Sequence, residues 1–284
     1  MTNSSDGLRP VLDHVVINVL GNLDAAAAQY ERLGFRLTER GHHTLGSSNN
    51  LAIFGTDYLE LLGYLPGREA MRPDLWRHPA GLTGLVFKAD DPDFVHGTLR
   101  DRGLPVQAPV RFARPVALPE GTRDARFAVV RVSSDVVQNG RTYFCQHMTP
   151  ELVWRSQWQT HENGVIGIAE FVIASRDPAR AGLLYEQMFG PHLLCPVPGG
   201  VSFRAGGTSV LLLLPQAIRE RYAGAALVSA DGTDRMVALT FKTTSIEAAR
   251  AVLDRGGVIY RLLPAGGIVV PHDHAANVAL AFIS

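Results

Sequence analysis

The run Leu12–Val19, LDHVVINV, sets His14 among apolar residues, and Tyr58–Leu62, YLELL, does the same with Glu60. Imidazole and carboxylate are side chains that can both move protons and ligate divalent metals. In a strand, Glu60 points away from Leu59 and Leu61, so it faces a cleft or solvent. A buried, unpaired carboxylate is costly, which calls for a charge partner or a raised pKa. With a raised pKa, Glu60 could act as a general base without any metal. His14 alone reads first as a core histidine bonded to backbone. Taken together, the two read as functional partners.

The loop GHHTLGSSNN, starting at Gly41, concentrates hydrogen-bonding groups just before a strand. It is either a polar turn or a substrate contact; His43, Ser47 and Asn49 are the contact candidates, together with Tyr58 at the start of the Glu60 strand. Pro271-His272-Asp273-His274 has an HxH spacing, but nothing near it in sequence supplies a third ligand, so it reads as a polar turn. His78, His96, His161 and His192 fall in apparent loops or helix surfaces and are expected to be solvated. Cys145 reads as a buried, inert thiol. The chain has no GxSxG, no P-loop and no GxGxxG in a strand–helix context, which argues against serine hydrolases, nucleotide hydrolases and dinucleotide oxidoreductases.

The elements that must position these residues repeat. Four segments, starting at His14, Gly84, Glu170 and Ala238, each run from an apolar strand through a polar break into an amphipathic helix. Asp91, Asp177 and Ser245 fall where helix N-caps belong, and Gly34, Gly103, Gly190 and Gly256 close the helices. Three short strand-like runs follow each helix, the first set being Phe35–Thr38, Asn50–Phe54 and Tyr58–Leu62. Each unit therefore reads βαβββ. Tyr30 and Tyr185 are 155 positions apart, and Tyr30 and Leu99 are 69 apart, which makes the chain a pair of pairs. The expected organisation is α+β: a first domain over 10–150 (modules 10–66 and 80–150), a linker over 151–164, and a second domain over 165–284 (modules 165–216 and 234–284). Trp154 and Trp158 are expected to pin the linker to one half.

Paired βαβββ modules with His in the first strand and Glu in the fourth resemble the vicinal oxygen chelate superfamily, which includes glyoxalase I, extradiol dioxygenases and antibiotic-resistance proteins. LDHVVINV through YLELL, together with RTYFCQHMTPELVW, is similar to its glyoxalase-like domain branch. The resemblance implies curved mixed sheets around a cleft, with metal ligands on the first and fourth strands of each module. Carried onto this chain, those positions are His14 and Glu60, then Gly84, which cannot ligate, and Gln146 with His147 beside it. Alternation sends Gln146 and His147 to opposite faces, and a bulge or register shift would be needed to bring His147 into the cleft. In the second half the matching positions are Glu170, Leu212 and Ala238, so that half reads as degenerate.

The function implied is a divalent-metal enzyme (Zn, Fe, Mn, Ni or Co) of lyase, isomerase or dioxygenase type, acting on a small oxygen-bearing substrate. The alternative is a metal-free protein that sequesters a small molecule. Lysine plus arginine equals aspartate plus glutamate, 27 each, so no nucleic-acid or anionic-membrane partner is expected. MTNSSDGLRP lacks the apolar core of a signal peptide, and two cysteines without a CxxC fit a reducing compartment, so a cytoplasmic monomer or homodimer is expected.

Overall fold

Strands form where β-branched and aromatic residues recur, and each helix starts at a side chain able to cap it. In the computed structural model, which describes residues 7–118, 121–229 and 231–284, the first module is β1 (Leu12–Leu20), α1 (Leu23–Arg32), β2 (Gly41–His42), β3 (Ser48–Ile53) and β4 (Tyr58–Gly63). A short α2 (Pro73–Trp76) leads to the second: β5 (Gly81–Lys88), α3 (Pro92–Asp101), β6 (Val110–Leu118), β7 (Gly121–Arg131) and β8 (Arg141–His147). The third has β9 (Val165–Ala174), α4 (Pro178–Phe189), β10 (Cys195–Val197), β11 (Gly200–Ala205) and β12 (Thr208–Leu213). After α5 (Pro215–Arg221), the fourth has β13 (Arg235–Thr243), α6 (Ile246–Arg255), β14 (Arg261–Leu262), β15 (Ile268–Val270) and β16 (Ala279–Ile283). Residues 1–6 of the polar N-terminal stretch lie outside the described residues. Among the described residues, no helix is long and apolar enough to cross a membrane.

Asp91, Asp177 and Ser245 accept backbone N–H bonds from the first turns of α3, α4 and α6. The glycine stops hold for the first three helices. At the fourth, Gly256 stays helical and Gly257 takes the left-handed conformation, φ 62°. Phe35–Thr38 forms no strand; the short partner of β3 is Gly41–His42.

The modules make two eight-stranded mixed sheets, ordered β2-β3-β4-β1-β5-β8-β7-β6 and β10-β11-β12-β9-β13-β16-β15-β14. The first sheet curls until its edges meet: Thr44 N–H, beyond β2, donates to the Ala113 carbonyl on β6 at 3.1 Å. One face of each sheet carries the helices and contributes to a shared core in which Phe35, Phe54, Phe241 and Phe282 cluster between the halves. The opposite face of each sheet carries its own smaller core. Trp154 packs on Tyr58 and Trp158 joins the same core, so the linker is held to the first half. His161, expected in solvent, is buried against the first half, where it accepts from Arg36 N–H and bonds the Ile53 carbonyl. His78 is buried as well.

Asp57 also ties the halves, accepting Ile168 N–H at 3.1 Å. Burial pushes its carboxyl up to about 7, against the partial pull of that hydrogen bond. Between roughly pH 4 and 7 the folded chain therefore holds a proton that the unfolded chain has released, and stability falls as pH rises through that window. Asp57→Asn, which has no charge to bury, is expected to match wild type near pH 4. At pH 8 it should be more stable by up to roughly 4 kcal/mol, as read by urea denaturation across the range.

Candidate functional site

The site is built on an irregularity in β1. Leu12 pairs with Phe87 and His14 with Val86, so one extra residue, Asp13, is inserted against β5. Leu12 and Val15 both enter the helix-side core, leaving Asp13 and His14 between them to meet on the cleft side. Asp13 Oδ1 lies 2.5 Å from His14 Nδ1 and 3.0 Å from His147 Nε2. An ionised carboxylate only accepts, so each of those ring nitrogens carries its proton. Burial by itself would raise the Asp13 pKa, but the charge of His147 and the bonds from both imidazoles outweigh it and hold the carboxyl well below the usual range.

With Nδ1 fixed, Nε2 is the working nitrogen of His14. It faces the Tyr143 hydroxyl at 3.1 Å and Glu60 Oε2 at 3.8 Å, and the ring stacks on Tyr58 with centroids 4.4 Å apart. Glu60 is buried; its Oε1 accepts from the Asn49 amide at 2.6 Å and lies 3.9 Å from His43 Nε2. Burial, with Arg114 and Arg72 adding to it, pushes His43 down to about 4 although Glu60 pulls the other way, so His43 is neutral at pH 7. Burial raises the Tyr143 hydroxyl and the Cys145 thiol, which keeps both protonated. These groups line one cavity of about 60 Å³ under the curled first sheet, along with Ser47, Tyr58 and four arginines.

His14, His43, Ser47, Asn49, Tyr58 and Glu60 thus come together. Gln146 does not: β8 keeps its alternation, with Tyr143 and Cys145 on the cleft side, and Gln146 turns away to bond the Asp90 carbonyl. His147 reaches the cleft side without the expected irregularity in β8, because 143, 145 and 147 share a face. Yet it meets Asp13, behind His14, and not Glu60. Gly84 has no room for any side chain, since a Cβ there would come 2.5 Å from Val16 Cβ. In the second half, strand pairing sets Leu211, not Leu212, at the place of Glu60, because Ser209 pairs with Glu170 as Tyr58 does with His14. His272 and His274 sit in a short helical turn away from this cavity.

Two donor sets suit a cation. His14 Nε2 and Glu60 Oε2 face the cavity at a spacing that one ion could bridge. Among the described residues, one group of three, Asp13, Cys145 and His147, brings its ligand atoms within 4.8 Å of one another, and His147 Nδ1 is buried without a partner. Sequence reasoning passed over Asp13, Tyr143 and Arg114. Asp13 carried a signal, a second ionisable residue beside His14 in an apolar strand; Tyr143 and Arg114 carried none.

A family model described as "Glyoxalase-like domain" matches residues 12–189. No curated protein matches the chain. A solved structure of a hypothetical protein from Staphylococcus aureus is similar over 96% of this chain and 98% of its own, at 10% identity and TM-score 0.63. A variant of 4-hydroxymandelate synthase from Streptomyces coelicolor aligns over 91% of this chain and 78% of its own, at 16% identity and TM-score 0.57. A variant of homoprotocatechuate 2,3-dioxygenase from B. fuscum aligns over 100% and 73%, at 13% identity and TM-score 0.51. At such identities the likeness is one of fold.

Asp13→Asn keeps an acceptor oxygen where Oδ1 stands but removes the negative charge that strengthens both imidazole N–H bonds. The variant is expected to lose about 2–3 kcal/mol at pH 7, the scale of a hydrogen bond to a charged group. The depressed carboxyl contributes its stability above about pH 4, and that contribution is lost as pH falls towards its folded value. The gap between wild type and variant in urea denaturation should therefore be smaller at pH 3 than at pH 7.

Proposed function

Because this chain belongs to the glyoxalase-like domain family of the vicinal oxygen chelate superfamily, we propose that the cleft of its first sheet is the active site of an enzyme moving a proton on a small oxygen-bearing substrate, as a lyase or isomerase does. One observation carries this reading. His14 has one nitrogen fixed by an ionised carboxylate and the other on the cavity side, within hydrogen-bond reach of the Tyr143 hydroxyl. That is how a general base is oriented and how its protonated form is stabilised. His14 Nε2 would take a proton from the carbon beside a substrate carbonyl, and the electron pair would pass to the oxygen. Tyr143, kept protonated by burial, is the donor for that oxygen. Glu60, held by Asn49, is the second carboxylate able to relay the proton.

The donor chemistry also fits the divalent metal that the superfamily implies. Asp13, Cys145 and His147 would hold it behind the cavity, or His14 and Glu60 within it, in which case His14 Nε2 would be a ligand and the base would be another group. When bound in the cavity, such an ion supplies Lewis-acid stabilisation of a substrate oxygen, or oxygen chemistry if it is iron. A specific observation favours the second reading, a metal-free sequestering protein. The superfamily's ligand position at Gly84 is filled by Val16, and Gln146 is turned away.

Purified protein loaded in turn with Zn²⁺, Mn²⁺, Fe²⁺, Ni²⁺ and Co²⁺ should exchange the acidic C–H of at least one small 2-oxo or 2-hydroxy carbonyl compound in D₂O, followed by NMR. His14→Ala should slow that exchange by about 10²–10⁴-fold. Full exchange in His14→Ala sinks the assignment. Elemental analysis separates the two metal sets: His14→Ala/Glu60→Ala empties one and Cys145→Ser the other. No metal, no exchange, and thermal stabilisation by a small ligand would establish the sequestering reading.

A further inference from the structure

The cavity beside His14 is lined by four guanidinium groups, Arg72, Arg114, Arg131 and Arg141, against one carboxylate, Glu60. Arg72 is matched, its Nε and Nη2 bonding Asp74 at 2.9 and 2.7 Å. Arg141 lies over the Tyr143 ring at 5.7 Å. Arg114 is the one of the four that is buried, at 3% exposure; no ion pair or hydrogen bond of its guanidinium is found among the described residues, and its Nη2, like Arg141 Nε, is buried without a partner. Burial penalises its charge by more than the attraction of Tyr58 and Glu60 offsets.

The surroundings make room for this charge. Arg114 points inward from β6, on the face shared with Phe112 and Val116. A Cβ on Gly41 would come 2.4 Å from Arg114 Cδ and 2.6 Å from its Nη1, so the guanidinium passes through the gap that glycine leaves. Apolar side chains complete the wall, among them Leu51, Leu62, Phe112 and Phe127.

We infer that Arg114 is the anion-binding residue of this cleft and that the ligand is a small organic carboxylate with an apolar body. A carboxylate accepts two parallel N–H bonds from a guanidinium, which supplies the partner Arg114 lacks. Arg131 and Arg141 add to the positive field, and the phenylalanines take the apolar portion. The inference names the ligand class for the cleft read above as an active site, but it is tested by binding alone.

Acetate is small enough to enter, and benzoate adds the apolar body; acetamide and benzamide are their neutral counterparts. Protein labelled with ¹⁵N-arginine is titrated with each, following the side-chain Nε–H signals. Saturable shifts with both carboxylates are expected, with benzoate tighter than acetate and the amides at least ten-fold weaker. Arg114→Met should weaken carboxylate binding ten-fold or more with no fall in melting temperature, because it removes a charge whose burial outweighs the attraction of Glu60. Gly41→Ala, which displaces the guanidinium and keeps its charge, should weaken it too. The inference is overturned if neither carboxylate gives a saturable shift, if the amides bind equally well, or if Arg114→Met keeps the preference. Carboxylate binding with full exchange in His14→Ala would leave this inference standing and remove the proton-transfer reading; absent binding with slowed exchange would do the reverse.

Discussion

The buried carboxylate of Asp13 is the constraint on which the site depends. It sits in an apolar strand, where an isolated charge would be untenable, and two imidazole N–H groups make it tolerable. In return it fixes the tautomer of His14 and aims Nε2 into the cavity. It also holds His147, the end of β8, against β1. One extra residue in β1 allows this, since regular alternation would send Asp13 to the helix side with Val15. The bulge, the ionised carboxylate and the oriented imidazole are thus one device.

The two halves share a plan and differ in closure. The first sheet curls until Thr44 meets Ala113, so its cavity is small and its polar groups are desolvated. This is why His43 loses its proton so readily and Tyr143 keeps its own. The equivalent face of the second sheet stays open over a cavity of about 1130 Å³. There Glu170 occupies the place of His14, but its oxygens are taken up by Arg221, Tyr222 and Thr240. Leu211 stands where Glu60 would be, so this face has no comparable pair of reactive groups.

The sequence by itself determined the plan. Four βαβββ units are written in alternating strands, capped helices and glycine stops, because each of these is a local preference acting within a few residues. His14 and Glu60 could be picked out for the same reason, as polar groups in apolar strands that need a partner. The strand Phe35–Thr38 was misplaced because its residues fit either an extended segment or a strand, and pairing with β3 chose Gly41–His42. His161 stands in a loop and is nevertheless buried, because the linker folds back onto Phe35 and Phe54 of the first half.

Only the tertiary structure decided which polar groups meet. Asp13 stands beside His14 in the chain, yet its pairing with His147 depends on the order in which β1, β5 and β8 assemble and on a bulge that no local pattern announces. The choice of His147 over Gln146 followed from register. Arg114 is one of many arginines in the sequence, and what sets it apart is the burial of its guanidinium at the cavity with Nη2 unpartnered. Partners contributed from distant strands are fixed by the packing of whole sheets, and no window of sequence contains them.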